Sequence, residues 1–542
     1  MITVFTARRV HTMDLSLPEA TAVAVLDGRI IEVGSLDSLQ PWLSRHDHVV
    51  DDGFADAVIL PGLIDPHVHP GLIALLLACE WVTPEAWDLP GRHVPATVGR
   101  EAFVARLYEL EAFHPAGEPL VVYGWHAQFH GELFRDDLDA ISTDRPIVLW
   151  QRSFHELRCN TPALAWLEAE EGAEWDPHID LEAGRMWESG MGFGLRILNP
   201  HLIGGEHLGQ RLEEMIRMVH GGGVTTIGDP GYAMADLDHY LDALLSVHEG
   251  ANVPFRQYLI PAIFRYRLEF GADHAEKLAQ HEALATDRIR FLHAAKFFAD
   301  GAFIAQLMQV GPPGYIDGHE GAWMANPDRI ADHIRPSWEQ GRRIDIHVNG
   351  DMGLDAALDA IDMLLHEIPR FDHRTVIHHF GLSTQAQSRR MAALGVSVQA
   401  NGYFLNLFGD AFVDRWLGAE RASQITRVGS ARRNGISVAL HSDLPMGPLL
   451  PMKAASNMST RLTLSGEILG LEERLSPYDA IAAVTIEAAW QLRLDHEIGS
   501  LAAGKQADLV VLDGDPFELD PTAWPDIPIR ATVLGGEVYP CD

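Results

Sequence analysis

The segment Leu60-Pro61-Gly62-Leu63-Ile64-Asp65-Pro66-His67-Val68-His69 closes an apolar run with two histidines two positions apart. Side chains two apart on a strand point the same way, so two imidazoles there can reach one metal ion. A bare His-x-His also describes two polar residues at a strand end. Its position after an apolar strand, with partners downstream, favours the ligand reading.

Those partners close later apolar runs. Lys296 sits inside Ile289–Phe298, where a charged ammonium is costly and burial lowers a lysine pKa. A neutral amine there can take up carbon dioxide and become a carbamate whose two oxygens bridge two cations. A snorkelling lysine, or one paired with Asp300, is the other reading. His347 ends Arg343–His347, and His379 ends Thr375–His379. Asp443 follows Ser437–Ser442, either as a ligand or as a helix N-cap. Imidazole and carboxylate without thiolate suit zinc or another borderline divalent ion.

Elements must bring these residues together. The apolar runs are Val58–Ile64, Pro146–Trp150, Val224–Ile227, Ile289–Phe298, Ile344–His347, Thr375–His378, Val396–Gln399 and Ser437–Leu440. Helical patterns such as Gly353–Leu365 and Thr384–Leu394 alternate with them. This alternation predicts an α/β fold with parallel pairing. Eight units predict a (β/α)₈ TIM-like barrel, with the candidate residues at the C-terminal strand ends. An open doubly wound sheet shares the alternation. The long spacings after the first and second runs predict insertions that build a lid or pocket.

Both chain ends read as β structure. Ala22–Val25 and Arg29–Val33 flank Asp27-Gly28, and Ala507–Leu512 runs into Asp513-Gly514. The expectation is a small composite β-sandwich from residues 1–57 and 496–542, around a barrel spanning 58–495.

The chain has 542 residues, 47% hydrophobic and 22% charged, so a large core is affordable. Its formal charge of −35 repels phosphate backbones and anionic membranes, so no nucleic-acid or membrane partner is expected. Cys79, Cys159 and Cys541 form no disulfide framework. The first residues lack a secretory core, and Leu72–Cys79 is shorter than the ~20 residues of a membrane span. A cytoplasmic location is expected. Gly499–Lys505 fits G-x-x-x-x-G-K, but Gln506 follows and the segment enters a strand, so it is not read as a phosphate loop.

The combined motifs resemble the amidohydrolase superfamily, within it the amidohydrolase 3 group that includes N-substituted formamide deformylases. Lys296–Gly301 resembles the group's lysine motif, His347–Asp351 its fifth-strand motif, and Gly499–Asp508 the turn into the composite β domain. The resemblance implies two divalent ions, Zn²⁺ by preference. It places His67 and His69 on the first ion, His347 and His379 on the second, and carboxylated Lys296 between them. It implies that Asp443 both ligates and serves as the catalytic base for a metal-bridging hydroxide. It also suggests a homodimer. Two positions depart from the group: His378 stands where Glu is usual, and His441 where Gly is frequent.

Trp125, His126 and His155 resemble the group's pocket segments, and Tyr403 follows the seventh strand. Asp300 and His378 complete the candidate substrate-binding set. The aromatic residues suggest a small-molecule substrate with a polar carbonyl and an apolar or aromatic part. The implied reaction is cleavage of a nonpeptide C–N bond in an amide, an N-acyl or an N-formyl amine. The alternatives are a mononuclear deaminase, an ester or lactone hydrolase, and a metal-free binding protein.

Overall fold

The computed structural model describes residues 1–204, 207–232, 236–250 and 252–541. They fall into two compact units. One comprises 1–69, 219–232 and 252–542, and the other 70–218 and 233–251.

The first unit holds nine parallel strands in two sheets. Leu63–Asp65, Val224–Pro230, Arg256–Ile260 and Ile289–Phe291 form one. Ala294–Phe298, Arg343–Val348, Val376–His379, Ser397–Asn401 and Val438–His441 form the other. Backbone hydrogen bonds link them at both edges. Lys296 N–H donates to Pro261 O at 2.9 Å on one side. Asp443 N–H donates to His67 O at 3.1 Å and His69 N–H to Leu444 O at 3.0 Å on the other.

Helices connect the strands as their sequences dictate. Asp351–Glu367 buries Leu354, Ala357, Leu358, Ile361 and Leu364, an apolar stripe at helical spacing. Gln385–Leu394 starts at a Thr384–Gln387 capping box and stops at Gly395, whose φ of 68° closes the last turn.

The strand inventory differs from the sequence expectation in three places. Val58–Ile64 splits after Pro61, and only Leu63–Asp65 joins the parallel sheets. Ile289–Phe298 splits in two after Phe291. The Pro146–Trp150 run forms a strand, Ile147–Gln151, but it pairs within the second unit. In addition Arg256–Ile260, not among the expected runs, is a strand paired between Val224–Pro230 and Ile289–Phe291.

The chain ends meet in one hydrogen-bonded sheet of eight strands. Val58–Pro61 pairs parallel with Ile2–His11 and antiparallel with Leu509–Leu512. Phe5, Val23, Ile59, Leu509, Val511 and Val533 pack on one face of it. These pairings are continuous through one sheet, and residues from both ends of the chain share its core.

The second unit has a six-stranded sheet of its own. Leu120–Trp125 and Ile147–Gln151 pair in parallel within it, and their Val122 and Leu149 pack against Phe103 and Leu107. The two expected insertions are therefore parts of one structural unit. No helix among the described residues is long and apolar enough to cross a membrane.

Candidate metal centre

The loop that follows Leu63–Asp65 is held from both sides. Val68 N–H donates to Gly228 O at 2.8 Å, opposite the His69 bond to Leu444. A Cβ on Gly228 would lie 2.3 Å from Pro66 O, so this close approach needs glycine. Asp65 lies buried beneath and accepts from His67 N–H at 3.2 Å and Ser442 N–H at 3.0 Å. Burial pushes its pKa up to about 7 despite those hydrogen bonds.

Held this way, His67 Nε2 and His69 Nε2 are 3.2 Å apart, and each is 3.3 Å from Asp443 Oδ1. Tetrahedral bonds of ~2.0–2.1 Å to zinc separate ligand atoms by ~3.3–3.4 Å, so these three atoms mark one face of such a site. His379 Nδ1 lies 3.5 Å from Asp443 Oδ2. The His441 ring stacks on His67 with centroids 4.5 Å apart. Ligand atoms of His67, His379, His441 and Asp443 all fall within 4.8 Å of one another.

All four residues are buried. His379 Nδ1 has no hydrogen bond of ordinary geometry. The same holds for both His441 nitrogens, a weak approach to the Gln399 backbone aside. Bare polar nitrogens in a dry interior are costly, and a divalent ion satisfies them. The donor set therefore fits a metal. Burial first, then neighbouring imidazoles and Lys296, hold His67, His379 and His441 well below the usual histidine range. They are neutral with free lone pairs, as ligation requires. Burial works the same way on His69, but Asp229 and Asp443 outweigh it and hold its pKa at about 9, so His69 would give up a proton to an incoming ion.

Two candidate ligands carry backbone strain. His379 has φ 71° and Asp443 φ 57°. Non-glycine residues held there cost about 1–3 kcal/mol each, a cost that clusters at functional sites.

Lys296 and His347 border this group. Lys296 Nζ is 2.9 Å from His378 Nδ1, and burial brings its pKa down to about 7. His347 places its ring 4.4 Å from that of His379, and its Nε2 is 2.9 Å from Asn349 Nδ2.

The candidate substrate residues divide between the two units. Asp300 is fully buried and accepts backbone N–H groups from Gln309, Asn349 and Gly350 at 2.7–2.9 Å. It clamps loops, and burial pushes its pKa up to about 7. Tyr403 is buried and donates its hydroxyl to Leu450 O at 3.0 Å. His378 lies under the ligand group, 2.7 Å from His67. Trp125, His126 and His155 belong to the second unit. There Trp125 donates to Gly131 O at 3.2 Å, His126 accepts from Gln128 N–H, and His155 faces Glu188 at 3.2 Å.

Two residues have sharper places than their sequence suggested. His441, a mere departure from the group pattern, sits inside the tight cluster. Asp229, unremarked in Gly228-Asp229-Pro230, faces His69 Nδ1 at 3.7 Å and accepts from Gln257 at 3.2 Å. A carboxylate behind a ligand imidazole orients the ring.

The profile described as "Amidohydrolase family" matches residues 55–540. The chain belongs to the amidohydrolase family. It is 25% identical to protein LONG AFTER FAR-RED 3 of Arabidopsis thaliana, over 98% of this chain and 90% of that protein. It is 23% identical to the N-substituted formamide deformylase of Arthrobacter pascens, over 97% of this chain and 96% of that one. Among solved structures, an uncharacterized metal-dependent hydrolase from Pyrococcus horikoshii OT3 superposes with a TM-score of 0.74 at 18% identity, covering 96% and 99% of the two chains. At that identity the likeness speaks to the amidohydrolase fold alone.

Proposed function

We propose that this amidohydrolase is a metal-dependent hydrolase of a carbon–nitrogen bond other than a peptide bond, in an amide such as an N-acyl or N-formyl amine. The observation that carries the reading is the convergence of His67 Nε2, His69 Nε2 and Asp443 Oδ1 at 3.2–3.3 Å, with His379 beside them. The name of the Arthrobacter relative points to the same class of bond. The linked edges of the two parallel sheets support reading them as halves of one (β/α)₈ barrel with its site at the C-terminal strand ends.

His67, His69, His379 and Asp443 would hold a divalent ion such as Zn²⁺, with His441 close enough to join them. A divalent ion at such a site supplies Lewis-acid polarisation of a carbonyl and a water whose pKa falls toward ~7. Asp443 is placed to take the proton of the attacking water on one oxygen and deliver it to the leaving amine nitrogen. Asp229 keeps the His69 ring in orientation.

A second ion would draw on His347 and on Lys296 as its carbamate. The tight grouping of four, with His347 outside it, favours the mononuclear reading as the competitor. A groove of about 460 Å³ lined by Phe264, Phe298, Met324 and Ile334 is suited to the apolar part of a substrate. Phe298 connects it to the centre, its ring 5.4 Å from that of His347.

The test is elemental mass spectrometry on protein purified without added metal or chelator, followed by hydrolysis of N-acyl and N-formyl amines. One or two ions per chain and chelator-sensitive amine release are expected. No ion, and none regained with zinc and bicarbonate, would remove the hydrolase reading.

A further inference from the structure

We propose that Arg267 selects substrates whose apolar part ends in a carboxylate, bound in the groove that Phe298 joins to the metal centre. The proposal rests on the hydrolase reading above and narrows its substrate class. The groove is lined by two helices, Ile263–Phe270 and Ile330–Glu339, and by the end of the Ala294–Phe298 strand. Helical spacing puts Ile263, Phe264 and Arg267 on one face of the first helix. It does the same for Ile330, His333 and Ile334 on the second. The Phe264 ring meets that of Phe298 edge-on at 5.7 Å, and Phe298 is 5.4 Å from His347. An aromatic path thus leads from His347, at the border of the ligand group, to the first turn of Ile263–Phe270. Arg267 stands one turn further along that helix. Phe264 keeps 51% of its surface in solvent, and an apolar chain laid along the groove would cover it.

The charge of the groove runs against that of the chain. The sequence has 76 acidic residues against 41 Lys and Arg, yet none of the described lining residues is acidic. Arg267 is exposed and takes part in no ion pair or side-chain hydrogen bond among the described residues. His333 is free in the same way. Asn326 accepts from Asp328 N–H through its side-chain oxygen at 3.0 Å, which leaves its amide N–H groups to a ligand. Asp332, the neighbour of His333, is engaged by Arg329 at 2.6 Å. The helix dipole favours a cation in the last turn of Ile263–Phe270, but it does not require one that lines the groove.

A guanidinium offers a planar fork that matches a carboxylate with two parallel N–H bonds. His333 and Asn326 can add N–H donors beside it. A cationic chain end would meet Arg267 as a like charge and be rejected. A neutral one would gain only the burial of its apolar surface. The substrate therefore presents its carbonyl to the metal centre, runs its chain over Phe298 and Phe264, and ends on Arg267. A net charge of −35 repels anions over most of the surface, so a local cation is what admits an acidic substrate.

The experiment uses full-length protein as purified and two probes that differ only at the chain end. N-formyl-ω-aminooctanoate carries a carboxylate where N-formyl-octylamine carries a methyl group. In wild type, kcat/KM should favour the acid ~5–20-fold, through KM, and Arg267→Gln should lose that preference. Arg267→Lys should keep part of it, and high salt should shrink it in wild type. Arg45→Gln, which removes an exposed charge elsewhere in the chain, should leave it unchanged. Arg267 is exposed, so its variants keep the fold, which circular dichroism checks. Wild type that treats both probes alike or prefers the neutral one would overturn the proposal. So would a preference that survives Arg267→Gln, or one that Arg45→Gln removes equally. Turnover of neither probe would count against the hydrolase reading instead. Isothermal titration calorimetry with the same two probes then decides the groove. Binding of the acid that depends on Arg267 upholds the proposal, and absent binding, or equal binding by wild type and Arg267→Gln, overturns it.

Discussion

Asp443 combines three demands at one position: ligand oxygen, proton carrier and left-handed backbone. Its φ of 57° is one that asparagine accepts nearly as well as aspartate. Asp443→Asn should therefore lower turnover at least ~10³-fold by removing the base. The chelator-treated variant should unfold at the same temperature as wild type or higher, because a buried charge is gone. Differential scanning calorimetry with a turnover assay separates the two effects. A variant that keeps its rate would end the assignment of Asp443 as base. His130 shows the opposite use of a buried imidazole. Its Nδ1 accepts from His126 N–H at 3.1 Å and its Nε2 faces Thr97 O at 2.9 Å, so the ring must stay neutral. Burial lowers its pKa from 6.5 to about 4. Above pH 6.5 the residue has no effect on stability. Between 6.5 and 4 only the unfolded chain takes up the proton, so stability falls by on the order of 3 kcal/mol, and it stays lost below 4. Denaturant unfolding across this range should show a shallower slope in His130→Gln than in wild type. At this scale His67, His69 and Asp443 were legible because spacing and strand ends mark them. Asp229 was not, because nothing local distinguishes an aspartate that faces a histidine some 160 residues away from one that caps a loop.

At the scale of elements, the contact between Gly228 and Pro66 sets how near the histidine loop lies to its neighbouring strand. Gly228→Ala must push Pro66 away, and with it His67 and His69. Zinc affinity should fall at least ~10-fold while far-UV circular dichroism stays unchanged, since the strand itself tolerates alanine. Unaltered affinity would mean that the loop is positioned from the Leu444 side alone. Arg256–Ile260 shows why a strand can escape a search for apolar runs. It begins Arg256-Gln257-Tyr258, polar yet buried, because Arg256 pairs with Asp508 and Gln257 donates to Asp229. Both partners are remote in sequence, so burial of the pair was invisible locally. Pro146–Trp150 is the converse case. Its apolar run is a real parallel strand, but local sequence does not say which sheet a strand joins.

Over the whole molecule, the ion pair between Arg256 and Asp508 ties a parallel strand to the sheet built from both chain ends. Arg256→Ala leaves a buried carboxylate alone, a change that typically costs 3–5 kcal/mol. Urea unfolding should show that loss in the midpoint, and Arg256→Ala combined with Asp508→Ala should recover part of it. A single-variant cost below about 1 kcal/mol would mean that the pair is hydrated rather than buried. The net charge of −35 adds self-repulsion that counterions screen, so the protein should gain thermal stability between 10 and 200 mM sodium chloride. The pairing of the two chain ends was suggested by their hairpin signals. Which strands would meet was not, because register across some 450 residues leaves no local trace. That register has a consequence for biosynthesis. Val58–Pro61 pairs with Leu509–Leu512, and one residue later the chain enters the strand that leads to His67 and His69. On the ribosome, one flank of the strand before the two histidines stays open until Leu509–Leu512 emerges. That flank is closed by a strand made some 450 residues after the one it covers.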